Sequence, residues 1–227
     1  MKKFLLITIV ACLICTVATA EIDISGLTLE ELLELRSEIS SRIVELYQEQ
    51  EPEVPEDTLG TIAELFPDEP FAMAVRDALG KLSINQPVTQ DDLDEVTKIT
   101  VGSSNSFGEI KSIVGIGHLR NLESLSLVNG AAEGLSILPD EFYSLVNLRY
   151  VNLHRNSIIE ISPLIGNLVR LETFKISGSE ITDLPDELVN CTMLEEIDIS
   201  YSKITTVPAV LFSMPNVKVS MEGTNVK

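Results

Sequence analysis

The chain repeats itself, and no other feature limits its fold so tightly. Leu122, Leu148, Leu171 and Leu194 open units that read L-x-x-L-x-L, at spacings of 26, 23 and 23 residues. The fourth and sixth positions are Leu125 and Leu127, Val151 and Leu153, Phe174 and Ile176, Ile197 and Ile199. Apolar residues two apart share one face of a strand, so each unit predicts a short strand with one buried face. Further columns follow at Leu135, Ile158, Ile181 and Ile204, then at Leu138, Ile161, Leu184 and Val207, with Pro139, Pro163, Pro185 or Pro208 just behind. An earlier unit runs from Val96, Ile99 and Val101 to Ile110 and Ile113, with an insertion around 105–108. A last one holds Val217, Val219, Met221 and Val226. The three extra residues of the unit at Leu122 fall in the turn segment 130–134. Six stacked strands are expected, each unit burying its apolar edge only against its neighbours.

This register, held over residues 96–227, resembles the leucine-rich repeat family. The resemblance implies an α/β fold: a right-handed solenoid with a parallel sheet on its concave face. The stretches 158–164 and 181–188 are similar to the bacterial internalin-like and the typical subtypes, which implies a bacterial source. One column departs from the family pattern. Where asparagine is usual, the chain has Ser104, Gly130, Asn156, Ser179, Ser202 and Thr224. The hydroxyls are expected to bond the turn backbone in its place, which Gly130 cannot do. Cys191 shares a column with Leu119, Leu145, Leu168 and Met214, so it reads as a small buried hydrophobe rather than a nucleophile or redox thiol.

Residues 61–95 are expected to cap the first repeat with helices. Asp68 is placed as N-cap of a helix with Pro70 in its first turn, an apolar face of Phe71, Val75, Ala78 and Leu79, and a stop at Gly80. A second helix starts at Thr89, with Asp92 completing a capping box. This run resembles the N-terminal helical cap of internalin-like proteins.

Upstream, residues 1–20 read as a secretory signal: Lys2 and Lys3, an apolar run from Phe4 to Val17, and the small residues Ala18, Thr19 and Ala20. A lipid anchor at Cys12 is the weaker alternative, because cleavage there leaves too short an apolar run before the cysteine. Residues 21–50 form a separate arm. Thr28 and Glu31 make a capping box, and Leu29, Leu32, Leu35, Ile39, Ile43 and Leu46 follow at steps of three and four, an amphipathic helix. Its apolar face has three open destinations: the solenoid, a second copy, or a partner. Residues 51–60 are an acidic, proline-containing linker.

Removing the signal leaves 14 basic against 35 acidic residues, a charge of −21. Such a chain repels nucleic acid, which is bound by basic side chains that displace counterions. No stretch outside the signal approaches the length of a transmembrane helix. His118 and His154 lie far apart in the repeat register, and no cysteine, histidine and carboxylate grouping has metal-ligand spacing. No catalytic residue, metal or cofactor is therefore assigned. What remains is recognition of an unidentified protein or peptide by the concave face, through Tyr150, Asn152, His154, Arg155, Lys175, Asp198 and Tyr201. Tyrosine and arginine are frequent carriers of interface energy, and His154, Arg155 and Lys175 make a basic centre on an acidic protein. The rival reading is a structural or assembly protein that associates through residues 28–50 or through the edge strand near Val219 and Met221.

Overall fold

A computed structural model describes Ser41 and residues 55–102, 108–129, 134–206 and 208–226. The chain divides after Glu53. The expected signal, arm and most of the linker lie outside the described residues, apart from Ser41, which is helical and exposed.

The second unit begins with β1 (Thr58–Thr61), which straddles the boundary drawn between linker and cap. It pairs antiparallel with β2 (Pro87–Thr89), with an irregularity between Thr58 and Gly60. Helix α1 (Ile62–Leu65) follows directly, with Thr61 and Glu64 forming a capping box. Helix α2 (Glu69–Ala78) has the expected start, since an Asp68 carboxylate oxygen accepts the Phe71 N–H at 3.0 Å. The helix stops before Gly80, whose φ of +65° is cheap only for glycine. The second Asp68 oxygen accepts the N–H groups of Lys111 and Ser112, both at 3.0 Å. One carboxylate thus caps a helix and fastens the cap to the first repeat. Helix α3 (Gln90–Asp94) carries the expected Thr89–Asp92 capping box.

Six parallel strands then stack in sequence order: β3 (Lys98–Val101), β4 (Ser124–Leu127), β5 (Tyr150–Asn152), β6 (Thr173–Lys175), β7 (Glu196–Asp198) and β8 (Lys218–Ser220). Their register follows the repeat, with Ile99, Leu125, Val151, Phe174, Ile197 and Val219 opposite one another. Single carbonyls lock the entries of β4 to β7. Glu123 O accepts Arg149 N–H and Tyr150 N–H at 2.8 and 3.1 Å, and Arg149 O accepts Glu172 N–H and Thr173 N–H at 2.8 and 3.0 Å. The return side is made of single 3₁₀ turns, Ile116–His118, Asp140–Ser144, Pro163–Asn167 and Asp186–Asn190, and then α4 (Ala209–Phe212). The prolines seen in sequence open or precede these turns, where a fixed φ helps and no N–H is needed. The fold is the α/β leucine-rich repeat solenoid expected from the register.

The core is one continuous stack of the repeat columns, from Ile62 and Phe66 in the cap to Met214. Cys191 is fully buried, as its column requires, and its thiol donates to Ile165 O at 3.2 Å. Burial pushes that thiol up to about 11, so it stays protonated and unreactive near neutral pH.

The asparagine column holds a correction. Asn156 is buried and fully used: its amide donates to Leu127 O at 2.7 Å and Leu153 O at 3.1 Å, and its oxygen accepts Leu135 N–H at 3.0 Å. Ser179 and Ser202 are as buried, but their hydroxyls have no hydrogen-bond partner among the described residues. A serine hydroxyl sits one atom short of where an asparagine amide ends, and it does not cross to the preceding unit. Thr224 does bond its own turn, through Met221 O at 2.9 Å. Ser104 and Gly130 lie outside the described residues.

Candidate functional site

Strand alternation sends every second side chain off the outer face of the sheet. The in-register stack arranges those side chains in rows that cross the strands. One row reads Lys98, Ser124, Tyr150, Thr173, Glu196, Lys218, and the next Thr100, Ser126, Asn152, Lys175, Asp198, Ser220. Apart from Lys98, the first two strands contribute short hydroxyl groups; the aromatic and most of the charged side chains gather from β5 onward.

All seven residues singled out in the sequence fall in this later part. Tyr150, Asn152 and Lys175 are half-buried members of β5 and β6, and Asp198 ends β7. His154 follows β5, where its N–H is accepted by Asn152 Oδ1 at 3.1 Å. Arg155 and Tyr201 stand in the turns after β5 and β7, with φ of 58° and 56°. Left-handed backbone costs a non-glycine residue about 1 kcal/mol or more. The equivalent positions in the other late units are Gly178 and Gly223, with φ of 72° and 66°. Repeat alignment could have found this alternating column of Arg, Gly, Tyr, Gly; charge and residue type alone did not.

Of the two glycines, Gly223 makes room for its larger neighbour: the Tyr201 ring lies so close that a β-carbon there would collide with it, whereas a β-carbon at Gly178 would meet Arg155 only at ordinary contact distance. Tyr201 is 58% exposed, and its hydroxyl donates to Glu222 Oε1 at 3.0 Å. That bond and the negative charge of Glu222 raise the phenol above its ordinary range.

Of the basic centre expected from the sequence, Lys175 is paired with an acid. Lys175 Nζ is 3.2 Å from Glu196 Oε2, and Lys218 Nζ is 3.4 Å from Oε1 of the same carboxylate. Hydrogen bonding from Lys175, working against slight desolvation, holds Glu196 below the usual carboxylate range. Partly exposed pairs of this kind add little stability, at most about 1 kcal/mol. They fix where the charges sit.

Beside them, Asp198 and His154 share a small network. His154 Nδ1 is 2.7 Å from Ser177 Oγ, and Asp198 Oδ1 accepts Ser200 N–H at 3.0 Å. Partial burial opposes the charge on Asp198. Hydrogen bonds from Ser200 and Ser177 and the attraction of Lys175 outweigh it and keep the carboxyl below its ordinary range. The carboxylate is therefore ionised at neutral pH.

His154, Ser177, Asp198, Ser200, Tyr201, Ser220, Met221 and Glu222 surround an open depression of about 380 Å³. Its floor is low because Ser177, Ser200 and Ser220 are short; its rim is high because His154, Tyr201 and Glu222 are long. Sequence reading found three of these residues and missed Glu222 and the serine floor, which only the register brings together. Among the described residues, no group of three or more His, Cys, Asp or Glu side chains is placed to hold a metal ion, and no helix is long and apolar enough to cross a membrane.

A family model described as bacterial adhesion/invasion protein N terminal matches residues 48–94, the cap and the segment before it. Among solved structures, an internalin (inlF) from Listeria monocytogenes is 27% identical, with a TM-score of 0.65 over 74% of this chain and 47% of that one. The secreted internalin-like protein Lmo2445 from Listeria monocytogenes is 19% identical with a TM-score of 0.50, covering 76% of this chain and 68% of that one, a likeness of fold. The chain spans about half the length of the first of these. The repeat register, the helical cap and these matches make the chain similar to the bacterial internalin-like leucine-rich repeat proteins.

Proposed function

We propose that the protein is a secreted or cell-surface, non-enzymatic recognition module that binds another protein or a peptide along the concave sheet. The binding surface is Tyr150, Asn152, His154, Arg155, Lys175, Asp198 and Tyr201. The observation that carries this reading is the pair Arg155 and Tyr201, two large side chains held exposed on left-handed backbone that glycine would occupy at lower cost. Strained positions of this kind gather at ligand-binding sites. The adhesion/invasion description of the matching family model supports the same class. The secretory signal at 1–20, the arm at 21–50 and the linker at 51–60 belong to this proposal.

Panning a random-peptide library on the immobilised full chain tests it. Enriched peptides should bind the variant with alanine at positions 150, 154, 155 and 201 at least about tenfold more weakly, since loss of such anchors typically removes over 1 kcal/mol each. Equal binding to both proteins would overturn the reading.

The alternative, association through residues 28–50 or the C-terminal edge, has one observation in its favour. Strand β8 pairs with β7 alone among the described strands, and Val219 within it and Met221 just after it are only half-buried. Light scattering across a concentration series decides this, a constant monomer mass being the result that removes it.

A further inference from the structure

We infer that the depression between His154 and Tyr201 receives a lysine or arginine side chain of the partner. The inference rests on the proposed binding face and names the chemistry of its anchor. Three independent features of the depression converge on a cation. Its charged rim is acidic, with Asp198 kept ionised by Ser200 and Ser177 and Glu222 exposed beside the phenol. The nearest ammonium groups do not answer these charges by direct pairing, because Lys175 and Lys218 both engage Glu196 in the row outside the depression. Arg155 does not line the depression.

The second feature is the Tyr201 ring. One side is backed by Gly223, and the hydroxyl is tied to Glu222, so the ring is fixed with more than half of the residue's surface open. A fixed aromatic face next to a carboxylate attracts a guanidinium or ammonium group through its quadrupole and through the ion pair together. Arginine also offers a planar fork that can meet a carboxylate while stacking on a ring.

The third is shape. The serine floor leaves room for an extended side chain: Ser177 Oγ is engaged with His154 Nδ1, Ser200 Oγ accepts the Glu222 N–H, and Asp198 accepts the Ser200 N–H. A neutral apolar group would sit against carboxylates without compensating them, and an anion would be repelled by both. The protein's net charge of −19 adds long-range attraction for a basic segment.

The test uses the full chain and N-acetyl-arginine amide as probe, followed by two-dimensional NMR at low salt. Resonances of Ser200, Tyr201 and Glu222 should move together and saturate, while those of other acidic surfaces stay still. The neutral citrulline analogue should produce no saturating shift. The variants Tyr201→Leu and Glu222→Gln should each weaken the arginine probe about tenfold, the equivalent of roughly 1.4 kcal/mol. Unchanged amide spectra elsewhere show that the variants are folded, and Asp198→Asn, which keeps an acceptor for Ser200 N–H, gives a third reading. Equal shifts with citrulline, shifts spread over every acidic surface, or no shifts at all would overturn the inference. None of these touches the wider proposal, which falls only if peptides bind the fourfold alanine variant as well as they bind the native chain.

Discussion

The turn after β5 and the turns after β6 and β7 stand at the same place in the repeat and meet the same demand in different ways. At Asn156 one side chain serves three buried backbone groups, two of them in the preceding unit. At Ser179 and Ser202 the hydroxyl is buried without a partner among the described residues, and the units are joined there by main chain directly. Glu180 N–H donates to Ile158 O at 2.8 Å, and Gly178 N–H to Ser200 O at 2.8 Å. A repeat can therefore lose its side-chain bridge where the backbone ladder closes the gap. Beside β4 main-chain bonds also cross between the units, Asn129 N–H to His154 O at 3.1 Å and Ile159 N–H to Ser136 O at 3.2 Å, and Asn156 adds its three side-chain bonds to them.

The strongest way to break this comparison is to change Asn156. Asn156→Ala leaves Leu127 O, Leu153 O and Leu135 N–H short of a partner inside the stack and should cost about 2 to 4 kcal/mol. Asn156→Ser should cost nearly as much, because the shorter side chain does not reach the preceding unit. Urea unfolding followed at constant m measures both. A serine variant within about 1 kcal/mol of the native chain would mean that the serines of the later turns do the same work as asparagine, and the contrast would vanish.

The left-handed column offers a smaller and more local test. Gly178→Ala places a β-carbon at ordinary contact distance from Arg155, so only the backbone penalty of about 1 kcal/mol should appear. Gly223→Ala meets the Tyr201 ring and should cost about twice that. The reverse change, Arg155→Gly, relieves strain in the folded chain but loosens the unfolded one, and the two effects of about 1 kcal/mol nearly cancel. It should therefore leave stability almost unchanged while weakening partner binding. If Gly178→Ala were neutral and Arg155→Gly destabilising by more than about 1 kcal/mol, the Arg155 side chain rather than its backbone would be holding the turn.

The repeat columns made the fold legible because stacking gives each column one environment: Leu119, Leu145, Leu168 and Cys191 all land in the core, so the neighbours of Cys191 decided its role before any contact was seen. Capping was legible for a similar reason, since Asp68 and the Thr89–Asp92 pair act within one turn of chain. What stayed hidden is whatever depends on two distant units at once. The second oxygen of Asp68 reaches Lys111 and Ser112, more than forty residues on, and nothing local announces it. The binding face was half legible. Outward positions follow from alternation, but the pairing of Lys175 with Glu196, and the seating of Tyr201 against Gly223 and Glu222, need the lateral register of neighbouring strands. The short strand β1 was missed because Thr58–Thr61 has no apolar alternation and is defined by its partner β2.

The smallest expected effect sharpens the comparison from the other side. Ser179→Ala and Ser202→Ala each remove a hydroxyl that is buried without a partner among the described residues. Desolvating such a group costs about 1 kcal/mol or more in the folded chain, whereas the methyl group that replaces it carries no such cost. Against this stands the slight loss of packing from removing one oxygen, a fraction of the cost of a deleted methylene group. The balance should be a gain between zero and about 1 kcal/mol for each variant, roughly additive because the two sites lie in separate turns. Thr224→Ala supplies the contrast, since its hydroxyl donates to Met221 O and its removal should destabilise slightly. A loss on Ser179→Ala as large as that on Thr224→Ala would show that the hydroxyl at 179 does bond the turn, and that the difference between these turns and the one at Asn156 is of degree only.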